Sequence, residues 1–91
     1  MATTPSISPR LAREDYDAFR ILLRDDRDFP DTFEAWESQR LRHDVKRVNS
    51  GHKIVDVLVT PAEFAGYCRA CGREPTAAML IACAVAKAAR G

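Results

Sequence analysis

The chain has 91 residues, of which 46% are apolar and 30% charged, and its formal net charge is +1. These values exclude wholesale disorder and fit one globular domain, small enough that self-association would add useful burial. No basic stretch leading into an apolar run opens the chain, and its three cysteines are expected to stay free thiols in a reducing cytoplasm.

Residues 1–9 are small, polar and punctuated by proline, and read as a flexible N-terminal tail, with 10–91 as a single small domain. A first helix is expected from within Pro9–Arg13 to about Arg24, because Tyr16, Phe19 and Leu23 share one face and Glu14, Asp15 and Asp17 suit its positive start. Asp25, Asp26 and Asp28 then break the pattern. They lack the glycine and the distal glutamate of a calcium loop and read as a solvated linker. Asp31 with Glu34 predicts a capping box that opens a second helix. Its apolar residues Phe33, Trp36, Leu41, Val45 and Val48 form a stripe wide enough to pack on two neighbours.

After a stop at Asn49-Ser50-Gly51, the β-branched run from Lys53 to Val59 predicts a strand. Val55, Val57 and Val59 point to one face, and Ile54, Asp56 and Leu58 to the other. No second run of comparable quality stands out. The partner strand is therefore expected from a second copy, paired antiparallel about a twofold axis. The alternative is a hairpin in which Asp44–Asn49 folds back through Ser50-Gly51. Thr60-Pro61-Ala62-Glu63 predicts a capping box and a third helix that ends at Gly72, with Phe64, Tyr67, Cys68 and Cys71 on one face. Pro75-Thr76 opens a fourth helix in which Met79, Leu80, Ile81, Cys83 and Val85 lie among alanines. Apolar on nearly every side, that helix reads as central to the core or shared with a partner, and at about 15 residues it is too short to cross a membrane.

The expected fold class is thus α+β and mostly helical, with about four helices and one short strand paired across a homodimer. The expected interface residues are Val55, Val57, Val59, Met79, Leu80, Ile81 and Val85.

Candidate chemistry is sparse. Cys68-Arg-Ala-Cys71-Gly72 has the form of half a zinc site, with His43, His52 and Cys83 as conceivable further ligands. No second spaced pair accompanies it, so core packing is expected in place of a metal. The motif also falls near a helix C-terminus, where the dipole disfavours a thiolate. No nucleophile–histidine–acid set and no glycine-rich phosphate loop is visible, so neither a cofactor nor enzymatic activity is expected. Charge is unevenly spread: the stretch from Glu14 to Glu37 is strongly acidic, and everything after it is basic on balance. Within the basic part Arg40, Arg42, Lys46, Arg47 and Lys53 could meet phosphate, or form a solubilising face that pairs with the acidic first helix.

The order strand, Thr-Pro-x-Glu helix, glycine turn and Pro-Thr helix over residues 53–90 resembles a ribbon-helix-helix module. That resemblance implies a dimeric transcriptional regulator or antitoxin whose paired strands enter the major groove of duplex DNA, with Lys53 and the Arg40–Arg47 cluster on phosphates. The stretches Phe29-Pro-Asp-Thr and Glu63-Phe-x-x-Tyr-Cys-Arg are similar to short uncharacterised bacterial proteins. The residues themselves point first to a non-enzymatic, dimeric interaction or adaptor domain with an unidentified protein partner, and second to such a DNA-binding regulator.

Overall fold

A computed structural model describes residues 4–90 of the chain. Among them are strand β1 (Thr4–Arg10), a 3-10 turn (Arg13–Asp15), helices α1 (Tyr16–Leu22) and α2 (Phe33–Asn49), strand β2 (His52–Leu58), and helices α3 (Pro61–Cys71) and α4 (Ala77–Arg90). The fold is α+β and mostly helical. β1 and β2 form a two-stranded parallel sheet, with Ile7 beside Val55 and Ser8 beside Asp56.

The partner that β2 needs therefore comes from its own chain, out of residues expected to be a tail. Residues 1–3 lie outside the described part. The alternative hairpin does not form either, because Asp44–Asn49 are the last turns of α2. The reason β1 escapes notice lies in its composition. Val59 N–H donates to the Arg10 carbonyl at 2.9 Å. In a parallel ladder the N–H and C=O of one residue point the same way, and the direction alternates along the strand. Thr4, Ser6, Ser8 and Arg10 accordingly bond to β2, while Pro5, Ile7 and Pro9 turn their main-chain groups outward. Both prolines fall where a missing N–H loses no ladder bond. Both serines are buried on the face that α2 covers.

The opposite face, with Ile7, Val55 and Val57, lies toward α3 and α4 and a core in which Phe19, Leu23, Val59, Phe64, Leu80 and Cys83 are the most buried large side chains. The first helix is shorter than expected, a 3-10 turn followed by two turns of α1, but its apolar face is as read: Tyr16, Phe19 and Leu23 are all buried. Tyr16 stacks on Phe29 at 5.2 Å and meets Phe33 edge-on at 5.7 Å. Its hydroxyl donates to the Pro30 carbonyl at 2.6 Å, and burial pushes its pKa up to about 12. Asp26, expected in a solvated linker, accepts from Ala77 N–H at 2.6 Å and so fastens that turn to the start of α4.

The predicted box at Asp31 and Glu34 is not the cap of α2. Thr32, extended at φ −125° and ψ 152°, takes the role and accepts from Ala35 N–H. Glu34 instead pairs with Arg13, whose guanidinium holds its carboxyl below the usual range. The wide stripe of α2 is not buried as expected: Leu41, Val45 and Val48 remain 53%, 57% and 55% exposed. The helix turns a polar edge, Arg40 and Asp44, toward the sheet, and this leaves the three aliphatic residues on its flank.

At α3 the capping box forms as read, with Thr60 Oγ1 accepting from Glu63 N–H at 3.2 Å and Glu63 Oε1 accepting from Thr60 N–H at 3.0 Å. Gly72 closes the helix at φ 63°, a left-handed conformation that suits glycine. Lys87 of α4 reaches back to Glu63 at 2.9 Å and to the Leu58 carbonyl at 2.7 Å. The Lys87 hydrogen bond, with that from Thr60 N–H, holds the Glu63 carboxyl below its ordinary value of 4.5. A carboxyl depressed in the folded state stabilises the fold above its unfolded pKa, and that contribution is lost as pH falls through the folded one. The urea midpoint of the native chain should therefore exceed that of Glu63→Gln at about pH 7, with the gap closing toward about pH 3. A gap that does not change with pH would show that the charge on Glu63 is irrelevant.

Candidate functional site

A polar layer lies between α2 and the sheet. Spacings of three and four place Arg40, Asp44 and Arg47 on the side of α2 that faces β1 and β2. Ser6 and Ser8 project toward them, being successive residues on one face of β1. Arg47 donates to Ser6 Oγ at 2.7 Å, and Ser8 Oγ donates to Asp44 at 3.1 Å. Arg40 is the hub. It bonds Glu37 at 3.1 Å and Asp44 at 3.0 Å, and lies 3.7 Å from Asp56 of β2. Its side chain is only 10% exposed, with the guanidinium 6.0 Å from the centre of the Trp36 ring. The Glu37 hydrogen bond outweighs desolvation and raises its pKa, so Arg40 stays charged.

Beside this layer a cleft of about 240 Å³ opens across the outer edge of β1, between α2 and the first turns of α4. Ile7, Pro9, Phe29, Trp36, Leu80 and Ile81 give it apolar walls; Gln39, His43 and Arg47 bring polar groups from α2, and Asp28 stands in the neighbouring turn. Arg40 and Asp44 also border it but are satisfied by each other. Arg47 makes no ion pair among the described residues and donates to the Ser6 hydroxyl instead. The outward N–H and C=O of Ile7 lie on this edge.

The five basic residues singled out from the sequence are not brought together. Arg40 and Arg47 turn toward the sheet, Arg42 and Lys46 lie exposed on the far side of α2, and Lys53 is exposed on the face of β2 away from α2. Nor does the cluster pair with the acidic first helix. Arg40 finds Glu37, Asp44 and Asp56 instead.

The expected interface residues divide as well. Val59 and Leu80 are buried within the chain, Val55, Val57 and Met79 are half-buried, and Ile81 and Val85 are exposed. Leu41, Val45 and Val48, expected to pack on neighbours, are exposed, as is Leu58. Cys68 and Cys83 are core thiols, their pKa values raised by burial, and Cys71 is exposed. Among the described residues no three His, Cys, Asp or Glu side chains gather where a metal ion could be held.

Two site residues missed in the sequence, Ser6 and Ser8, gave no local signal beyond their alternation with Pro5, Ile7 and Pro9. No helix among the described residues is long and apolar enough to cross a membrane. No protein-family model, curated protein or solved structure matches the chain.

Proposed function

We propose that the protein is a small homodimeric interaction module whose two copies join edge to edge through β2. One observation carries this reading: the two edges of the sheet are unlike. The outer edge of β1 is blunted by Pro5 and Pro9, whereas the outer edge of β2 presents the main-chain groups of His52, Ile54 and Asp56 with no proline among them. Leu58 N–H points the same way, and its carbonyl is taken by Lys87. An antiparallel β2–β2 pair about a twofold perpendicular to the sheet would satisfy these groups. The same axis would bring the α2 flanks together, so that Leu41, Val45 and Val48 of each copy cover those of the other. Leu58, 52% exposed at the same edge, adds to the apolar surface removed from water.

Such a dimer would act as an adaptor, offering its remaining surfaces to a protein partner. A second reading, binding of duplex DNA, is favoured by Arg42 and Lys46. The twofold would place both copies of this exposed pair on one surface, and binding there should fall steeply with salt and weaken when both become alanine.

Light scattering should give twice the chain mass of 10.2 kDa. Ile54→Pro removes an outward N–H that the chain itself does not use, and Val45→Glu puts charge on the flank. Each should yield a monomer with an unchanged circular dichroism spectrum, weakening association about a hundredfold or more. A native chain that is monomeric at about 100 μM sinks the proposal, since an obligate interface holds far below that concentration. Dimers that survive both substitutions would place the interface elsewhere.

A further inference from the structure

The cleft on the other edge of the sheet is independent of the dimer. We propose that it binds a small molecule made of a flat apolar body and one carboxylate. The body is argued from the walls. Phe29 and Trp36 supply aromatic surface, with Pro9, Leu80 and Ile81 around them, in a concavity of about 240 Å³. This is the usual make-up of a small-molecule site, apolar walls with a few convergent polar groups, at the small end of the size range.

The carboxylate is argued from Arg47. Its guanidinium has no acid partner among the described residues, and it is held in place by the hydroxyl of Ser6, which is 4% exposed. A cation that is anchored, uncompensated and at the rim of an apolar cleft favours an anion, and its planar fork fits a carboxylate. The other titratable groups facing the cleft do not reverse this preference. Arg40 is shared among Glu37, Asp44 and Asp56, and Asp44 also accepts from Ser8 Oγ, so these acids already have partners other than Arg47. His43 adds a further polar group on the Arg47 side. Among the described residues Asp28 is the one acid lining the cleft that makes no ion pair, and it is exposed on a turn.

The edge of β1 narrows the choice further. Of its outward positions only Ile7 carries an N–H, because Pro5 and Pro9 flank it. An extended peptide would find one donor where strand addition needs a row of them. A compact ligand needs no more than one. One carboxylate oxygen would accept from Ile7 N–H while the other meets Arg47.

The test is an NMR titration of the full chain with phenylacetate and indole-3-acetate, with phenylacetamide and phenethylamine as neutral and cationic controls. Saturable shifts are expected at the Ile7 amide and the Trp36 indole N–H, with the acids binding about tenfold more tightly than the amide. Arg47→Gln, at an exposed position, should erase the difference between acid and amide while leaving the rest of the spectrum in place. Trp36→Leu should weaken acid and amide alike. Equal binding of acid and amide to the native chain, tighter binding of the amine, or no saturable shift at Ile7 up to about 10 mM would each overturn the proposal. None of these outcomes depends on whether the chain dimerises, because the readout is local to β1 and α2.

Discussion

Leu80→Asp is expected to unfold the chain, and Ile81→Asp, one position along α4, to leave it folded. The two residues are 2% and 50% exposed. Truncating a buried leucine alone removes about 2–5 kcal/mol. Aspartate there would add the desolvation of a carboxyl group among Val59, Phe64 and Cys83, a further few kcal/mol even if it protonates. A domain of this length holds roughly 0.1 kcal/mol per residue, on the order of 9 kcal/mol, so the first variant loses most of its stability. Circular dichroism and urea denaturation check both results. A folded, stable Leu80→Asp would mean that α4 does not sit in the core as described. A destabilised Ile81→Asp would mean that its exposed flank is covered in solution.

The second large effect is expected at Arg40. Arg40→Met leaves Asp44 without its cation in a half-buried layer, and Asp56 with Arg10 alone. Removing one partner of a buried charge set destabilises far more than the intact set stabilises, because the remaining charge is stranded. Glu37 and Asp56 can still turn partly to water, which limits the loss to about 2–3 kcal/mol. Arg40→Met/Asp44→Leu should recover much of it, since both ends of the most buried pair are then apolar. A drop in urea midpoint for the single variant and its partial return in the double one is the expected pattern. If the double variant is the less stable of the two, the ion pair is a net stabiliser and the sheet needs its polar cover.

What could be read from the sequence follows the range of the signal. Thr60 and Glu63 lie within one turn, as do Pro61 and the helix it opens, and Gly72 needs only its own φ. These features are local, and the structure shows them as read. Val55, Val57 and Val59 announced a strand because β-branching is also local. Its mate, Thr4–Arg10, is recognisable only once the outward register of Pro5 and Pro9 and the hydroxyl partners of Ser6 and Ser8 are known. Those partners stand 41 residues away for Ser6 and 36 for Ser8. The α2 helix shows the same limit. Its apolar residues looked like the inward stripe, yet Arg40 and Asp44 face the sheet because β1 offers serines and β2 offers Asp56 there. For the same reason the basic residues are a group in the sequence but point in separate directions in the fold, and the cleft beside Arg47 exists only with β1 as its floor.

The parallel pairing also sets an order of events for the chain as it is made. β1 is synthesised before its mate, which emerges only after α1 and α2. Until then Ser6 and Ser8 have no ladder, and Arg40 and Arg47 have no sheet to lie on. The loop that must close is long, and closing it brings little reward before β2 arrives. The slowest step in folding is therefore expected to be the docking of β1 against β2 and α4, whose contacts with it span most of the domain. Of the two strands, the one synthesised earlier would complete the sheet later.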